Sequence, residues 1–297
     1  GIYSPFGLSI NWHDDVAFRQ LAHKGSIKYI RFNPVVAWKI TDTFSVAGGV
    51  NIDYAEVELE QGVIAPGDKF RFEGDDIALG FNLGIRWQPT PKHAFGATYR
   101  SATTMNFRGH SEVRTDDLTV PYEVAPGVVV PVTVPGVESR EYARTTYNFP
   151  QTITVGYSFR PTPDWNLELN VDWTDWDSLN TLTLKQRRSA NVSLPFNWES
   201  SFTYQVGVTR KLGSYFLSAG YMYSENSVPN ESFNPIVPDS TRHIFTVGVG
   251  QRLERYSWAL AYQHAYGPRR EIAQGTAADG EYRFRSNALS LSLGYHF

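Results

Sequence analysis

The chain has 297 residues, no cysteine and a formal net charge of −3, from 27 basic and 30 acidic residues. This balance lacks the basic excess typical of nucleic-acid-binding proteins, and the absence of cysteine excludes a disulfide framework and a thiolate metal site. With 17 Tyr, 18 Phe and 8 Trp the chain is rich in aromatic residues. No run approaches the roughly eighteen apolar residues that a transmembrane helix needs.

Strict alternation of apolar and polar residues, which is typical of β-strands, runs through most of the chain. In 77–87, large apolar residues occupy every second position, and small or polar residues occupy the others. The alternation predicts about twelve strands. In chain order they lie near 1–10, 26–40, 44–60, 75–88, 93–108, 149–160, 165–184, 201–211, 214–224, 242–252, 255–266 and 284–297.

The links between these strands alternate in length. Short polar links such as "TDT", "TPK", "PTPD" and "KLGS" separate long ones. Tight turns at one end of a sheet and long loops at the other are typical of an up-and-down meander. The long loops are predicted at 11–25, 61–75, 109–147, 186–200, 225–241 and 267–283.

The two faces of the predicted strands differ in a way that separates a membrane barrel from a soluble sandwich. The apolar face keeps large aromatic residues near the strand ends, as interfacial girdles do. The opposite face is small and polar, whereas the solvated face of a sandwich usually carries more Lys and Glu. We therefore predict a single all-β domain over 1–297, a transmembrane antiparallel up-and-down β-barrel in the bacterial outer membrane, because in lipid only closed barrels pair every strand.

Four stretches carry a resemblance to a known family. They are "NPVVAWKITDTFSVAGGVN", "FGATYRSATTMNFRG", "DWTDWDSL" and "GYMYSENSVPNESFNPIVPDSTRHIFTVGVG". In order and spacing they resemble the FadL-like family of outer-membrane transporters for long-chain fatty acids and aromatic hydrocarbons. The terminal "YHF" fits as well, so the resemblance spans essentially the whole chain.

The resemblance implies a barrel of about fourteen strands, plugged by an N-terminal hatch. Against that pattern Gly1 lies within the third strand, so the chain is expected to be truncated and to lack the hatch. The implied function is passive uptake of a hydrophobic small molecule. Two alternatives stay open: a general diffusion porin, and an outer-membrane lipid hydrolase.

Nothing in the sequence favours catalysis. The seven histidines show no metal-ligand spacing, and no glycine-rich phosphate loop is present, so we expect no metal, no cofactor and no enzyme. The pair His110–Ser111 is the closest approach to a hydrolase constellation. Adjacent residues of a strand point to opposite faces, so this pair cannot itself form a dyad.

Three arginines fall on the inward parity: Arg31, Arg86 and Arg100. An inward guanidinium could receive a fatty acid carboxylate in a bidentate contact. The alternative is that each pairs with a lumen acid. The candidate acids are Asp53, Asp76, Glu168 and Asp172.

The predicted extracellular loop 109–147 is strongly apolar, and four prolines are expected to break regular pairing in it. Its candidate ligand-binding residues are Val128, Val130, Val132 and Val134. One reading is a capture surface for a hydrophobic substrate. The other is a plug that folds over the barrel mouth and buries its own valines.

The last strand, 284–297, ends in alternating leucines followed by Tyr295 and Phe297. On a barrel these residues would face lipid, with the aromatic pair at the periplasmic girdle. Phe297 also resembles the signal read by the outer-membrane insertion machinery. Expected partners are therefore that machinery, outer-membrane lipid and lipopolysaccharide. Pro34, inside a predicted strand, is read as structural.

Overall fold

The computed structural model describes residues 1–65 and 67–295, so the insertion signal predicted at Phe297 lies outside the described residues. The described residues form strands joined by turns, with one 3₁₀ turn at Trp176–Ser178. In chain order the strands are β1 (Ile2–Tyr3), β2 (Gly7–Asn11), β3 (Lys24–Phe32), β4 (Val35–Lys39), β5 (Phe44–Gln61), β6 (Lys69–Thr90), β7 (His93–Arg100), β8 (Thr103–Arg114), β9 (Leu118–Ala125), β10 (Val128–Val134), β11 (Glu138–Phe149), β12 (Thr152–Phe159), β13 (Trp165–Thr174), β14 (Thr181–Gln186), β15 (Val192–Pro195), β16 (Ser201–Leu212), β17 (Tyr215–Ser224), β18 (Arg242–Arg252), β19 (Tyr256–Tyr266), β20 (Arg270–Ile272), β21 (Gly280–Tyr282) and β22 (Arg285–Tyr295). No helix among these residues has the length and apolar character needed to cross a membrane.

Eighteen of these strands belong to one antiparallel sheet, and several are halves of a single pass along the wall. β3 and β4 both pair with β5, while β7 and β8 both pair with β6. Joining such halves leaves twelve passes in the described residues, as the alternation predicted. They are β1/β2, β3/β4, β5, β6, β7/β8, β11/β12, β13/β14, β15/β16, β17, β18, β19 and β22.

Pro34 separates β3 from β4 without disturbing their register against β5. Phe32 lies opposite Ile52 and Val35 opposite Gly49, so two residues on each side face each other across the gap. Asn33 spans the gap through its side-chain amide, which donates to the carbonyl of Val50 at 3.1 Å. Pro34 therefore removes one ladder bond and creates no bulge, in keeping with a structural role.

The sheet curls so that distant strands meet on its inner side. The rings of Tyr29 on β3 and Phe149 on β11 lie 4.7 Å apart, although β5, β6 and β8 separate these strands in the sheet. The buried hydrophobic residues form one cluster on this inner side. The outer side carries exposed Leu, Ile, Val and aromatic residues, which is the inverse of a soluble protein.

The outer apolar surface has the height of a membrane belt. On β6 the outward residues from Ile77 to Trp87 are all apolar and exposed, whereas Asp75 beyond them is charged. This stretch spans about 34 Å along the strand, and a tilt of about 40° reduces it to about 26 Å, close to the lipid-facing band of known barrels. Aromatic rings line both of its edges, as in the stacked pair of Trp87 and Phe95 at 5.4 Å.

Four predicted loops contain strand: 186–200 contains β15, 267–283 contains the β20–β21 pair, and the largest differences are in 61–75 and 109–147. β5 and β6 run on beyond the belt, so the link predicted at 61–75 is only 62–68. The segment 109–147 consists mostly of strand, because β8 and β11 extend to Arg114 and Glu138 and β9 and β10 form a separate hairpin between them. The prediction that its four prolines break pairing is wrong for Pro121 and Pro131, which lie directly opposite each other in this hairpin. Pro126 lies in the turn between β9 and β10, and Pro135 follows β10, so these two do lie where pairing stops.

Candidate functional site

The inner side of the wall is apolar at its long-loop end, the end that carries links 12–23, 62–68, 115–137, 187–200, 225–241 and 267–284. Phe70 and Phe72 of β6 face Leu182 and Leu184 of β14 across a narrow cleft, which also touches Ile236. The cleft encloses about 30 Å³, room for about one water molecule. A larger apolar molecule therefore enters only if these side chains move apart.

Aromatic rings continue this apolar path toward the middle of the wall. Phe6, at the break between β1 and β2, turns inward and lies 5.0 Å from the ring of Phe149 and 5.9 Å from that of Trp176. Trp176 in turn packs edge-on against Trp198 at 5.1 Å. The "DWTDWDSL" stretch thus places its second tryptophan inside the barrel, because the chain leaves β13 for a 3₁₀ turn there.

Arg31 is buried on the inner side and is engaged by a lumen acid. Its Nε and Nη2 donate to the two carboxylate oxygens of Asp53 at 2.6 and 2.7 Å. Asp53 also accepts from Thr103 Oγ1 at 3.1 Å, and Arg31 reaches the Tyr29 hydroxyl at 3.3 Å. The inward placement of Arg31 is confirmed. Its bidentate partner is Asp53, one of the lumen acids named as the alternative to a bound carboxylate.

Arg86 and Arg100 also lie on the inward parity but outside this network. Arg86, near the short-turn end of β6, is exposed and donates to Gln88. Arg100 ends β7 between Asn82 of β6 and Thr152 of β12. Within the described residues the three arginines do not share a hydrogen bond, and whether Arg86 or Arg100 binds a ligand stays a prediction.

The β9–β10 hairpin carries the predicted valines on an exposed surface. Three of them share one face with apolar partners opposite: Val130 faces Tyr122, Val132 faces Val120 and Val134 faces Leu118. Val128 lies beyond a register shift at the tip, where Gly127 adopts a φ of 77° in the Pro-Gly turn. Val132 and Val134 are 40 % and 52 % exposed and Val130 is half-buried, which favours a capture surface over a plug that buries its own valines.

The residues considered for catalysis are separated as strand geometry requires. His110 faces outward and is exposed, while Ser111 is buried on the inner side and donates to Gln186 at 2.7 Å. No cluster of three or more His, Asp or Glu residues suited to a metal ion occurs in 1–65 and 67–295.

Sequence reasoning missed the inner wall of the long-loop end. β15 falls in the predicted loop 186–200, and Phe233 and Ile236 are buried although they belong to the predicted loop 225–241. The signal was present as apolar residues in otherwise polar links, such as Leu194 and Ile236. These residues fill the barrel because the loops that carry them fold inward.

Comparison with known proteins identifies this architecture. A family model described as "Outer membrane protein transport protein (OMPP1/FadL/TodX)" matches residues 1–297. A "Long-chain fatty acid transport protein" of Escherichia coli O6:H1 is 20 % identical over 327 residues, covering 100 % of this chain and 72 % of the relative. Its counterpart in Salmonella typhi is 19 % identical, covering 100 % and 71 %.

Solved structures share the fold. A Pseudomonas aeruginosa FadL homologue superposes with a TM-score of 0.82 at 21 % identity, covering 99 % of this chain and 73 % of that one. The Pseudomonas putida toluene transporter TodX gives a TM-score of 0.72 at 14 % identity, covering 100 % and 78 %. The predicted β-barrel fold, outer-membrane location and family resemblance are thereby confirmed. The chain belongs to the OMPP1/FadL/TodX family of outer membrane transport proteins.

Proposed function

We propose that this protein is a passive outer-membrane channel for hydrophobic compounds such as long-chain fatty acids or aromatic hydrocarbons. The family match supports transport, and the named relatives include fatty acid and toluene transporters. The proposed orientation places the long-loop end outside the cell. Diffusion down a gradient drives the uptake, so the function requires no nucleotide and no catalytic residue.

The observation that carries the proposal is the apolar face of the β9–β10 hairpin, on which Tyr122, Val132 and Val134 are exposed and the other three side chains are half-buried. Valines, a tyrosine and a leucine line this face in three cross-strand pairs. β9 and β10 form a separate two-stranded sheet at the long-loop end. The solvent-accessible part of such an apolar face gains free energy when it covers a hydrophobic molecule, about 25 cal/mol per Å² of area removed from water.

The apolar cleft on the inner wall offers a path beyond this face. Phe70, which lines the cleft, lies opposite Val113 near the end of β8, from which the chain continues into the hairpin. A molecule collected by the hairpin would therefore meet Phe70, Phe72 and the leucines of β14 next. We propose this cleft as the entry constriction, and Arg100 and Arg86 as later inward contacts for a carboxylate.

The two alternatives find less support. A water-filled porin needs an open polar lumen, whereas aromatic and aliphatic side chains are packed inside the wall here. A lipid hydrolase needs a nucleophile beside its base, whereas Ser111 and His110 lie on opposite faces of β8.

The test is uptake by proteoliposomes that contain the full chain, with oleate, toluene and glucose as probes. We expect oleate or toluene to enter faster than glucose. We expect the triple substitution Val130→Thr, Val132→Thr and Val134→Thr to weaken capture about tenfold. Each threonine keeps the β-branched shape while a hydroxyl replaces a methyl group.

Val129→Thr is the matched control, because it makes the same chemical change on the opposite face of β10. It should leave uptake unchanged. Preferential glucose flux, or equal losses in the triple variant and the control, would exclude the proposed capture role.

A further inference from the structure

Three basic residues lie side by side on the outer face of the wall. Arg144 of β11 is directly opposite Arg108 of β8 on one side and Lys185 of β14 on the other. All three side chains are exposed. Directly opposite side chains on adjacent strands lie about 5 Å apart at Cβ, so this row brings three positive charges within about 10 Å.

The three basic side chains lack the acidic salt-bridge partners that a neighbouring basic residue has. Lys28 lies in the same cross-strand row, three strands away from Arg108, and pairs with Glu56 at 3.2 Å. No salt bridge within residues 1–65 and 67–295 engages Arg108, Arg144 or Lys185, although Asp75 is opposite Arg108. Like charges placed opposite each other destabilise a sheet, so a bound anion would relieve this repulsion.

A cleft of about 420 Å³ lies along this basic row. It forms because β11 and β14 share only two residue pairs, Arg144 with Lys185 and Ala143 with Gln186, and then diverge. The hydroxyls of Thr146 and Thr183 and the side chain of Asn106 line it beside the three cations. The cleft thus combines positive charge with neutral hydrogen-bonding groups.

The position of the row relates it to the membrane boundary. Asp75, opposite Arg108, is two residues before Ile77, where the apolar belt of β6 begins at its long-loop edge. On β8 and β11 themselves, exposed polar side chains lie between the row and the belt: Thr104 and Asn106 on β8, and Thr146 and Asn148 on β11. The row therefore lies beyond the acyl-chain region, on the headgroup side. With the long-loop end outside, as the proposed function has it, the headgroups are those of the outer leaflet.

We propose that Arg108, Arg144 and Lys185 form a binding site for the phosphate monoesters of a phosphorylated glycolipid of the outer leaflet. A phosphate monoester carries up to two negative charges and three acceptor oxygens, which suits three adjacent cations better than a single carboxylate does. The site is a lipid site on the outside of the barrel, separate from the uptake path.

Binding of fluorescent bisphosphorylated lipid A to the purified full chain in detergent micelles tests the assignment. We expect tight binding that dephosphorylated lipid A does not reproduce and that inorganic phosphate weakens by competition. Arg144→Gln should raise the Kd about tenfold, while Arg144→Lys, which keeps the charge, should change it much less. Heat-modified electrophoretic mobility checks that each variant is folded.

Lys28→Gln is the matched control, because it removes one outward cation from the same row where Glu56 already compensates it. It should change the Kd less than twofold. Equal binding of the dephosphorylated lipid, equal losses in Lys28→Gln and Arg144→Gln, or competition by oleate but not by phosphate would overturn the assignment. Because no transport is measured, the outcome is independent of the uptake assay.

Discussion

Arg31 and Asp53 form a buried ion pair in the middle of the inner wall. Both carboxylate oxygens accept from the guanidinium, and Thr103 supplies a further donor. A pair of this kind does little for stability relative to an apolar replacement, but removing one partner leaves an uncompensated buried charge. The pair therefore ties β3, β5 and β8 together only as long as both charges are present.

The substitution Asp53→Asn tests whether the buried pair depends on both charges. It keeps the shape and removes the charge, so Arg31 stays buried without a counterion and the free energy of unfolding should fall by about 3–5 kcal/mol. Urea denaturation of the refolded protein in detergent measures the change. Asp42→Asn, which breaks the exposed turn pair with Lys39 at 2.6 Å, is the control and should leave the midpoint in place. Equal midpoints for Asp53→Asn and the parent would contradict the assignment.

The alternation of the sequence predicts that the side chain of Arg31 points inward, but which residue it pairs with depends on the register between β3 and β5. The tight turn at Asp42 sets that register, because residues equally distant from it, such as Arg31 and Asp53, face each other. Arg86 and Arg100 show the limit of this reasoning. Their parity is right, yet what lies near each depends on how neighbouring passes are staggered, which no local pattern encodes.

At the scale of elements, the β9–β10 hairpin is attached to the barrel by a small polar junction. The carboxylate of Asp68 accepts the backbone N–H groups of Ala65 at 2.8 Å, Ile64 at 3.3 Å and Asp116 at 2.9 Å. Asp116 lies two residues before the first residue of the hairpin, Leu118, so the side chain of Asp68 joins link 62–68 to the base of the capture surface. These N–H groups favour the charged form and hold the pKa of Asp68 below its ordinary value of 3.8.

The hairpin junction should therefore be sensitive to acid. A lowered pKa in the folded state means that the stabilisation is complete above pH 3.8 and is lost as the pH falls through the folded pKa. A spin label at position 129 should become more mobile as the pH falls below 3.8, and electron paramagnetic resonance measures that mobility. In the Asp68→Asn variant the same label should be mobile at every pH. A label with the same pH response in both proteins would show that Asp68 is not the junction.

The hairpin also shows why prolines misled the sequence interpretation. Proline usually argues against strand pairing because it lacks a donor. Opposite residues of an antiparallel pair alternate between bonded and non-bonded sites, and two facing prolines fit a non-bonded site at no loss. The matching of Pro121 with Pro131 was hidden because it depends on the position of the Pro-Gly turn between them.

At the scale of the whole molecule, the belt defines how the protein sits in lipid. Its outward residues on β6 run without a charge from Ile77 to Trp87, with Leu83 near the middle. The alternation that predicted the passes also predicted this belt, because one face of every strand must match the bilayer. The inner filling by long links escaped prediction, because inward folding of a loop leaves no period in the sequence.

Two arginine substitutions should measure the depth of this belt. Leu83→Arg places a charge near the bilayer midplane and should lower the free energy of unfolding by about 2–4 kcal/mol, whereas Ile77→Arg at the belt edge should lower it by about 0–1 kcal/mol. Both residues are exposed outward on β6, so each controls for the other. Denaturant titration in lipid vesicles gives the two values. Equal effects would mean that β6 is placed at another depth.

The facing prolines of the β9–β10 hairpin have a consequence for self-association. Two valine-rich strands that project into water with free edges would ordinarily template pairing with other copies and, eventually, fibrillar aggregates. Pro121 and Pro131 sit opposite each other, so the nitrogen of each points to the outer edge of its strand. The outer edge of each strand therefore lacks a hydrogen-bond donor at its centre, which disfavours pairing with a further strand. The hairpin can thus keep an apolar surface accessible to small molecules without pairing with other copies of the chain.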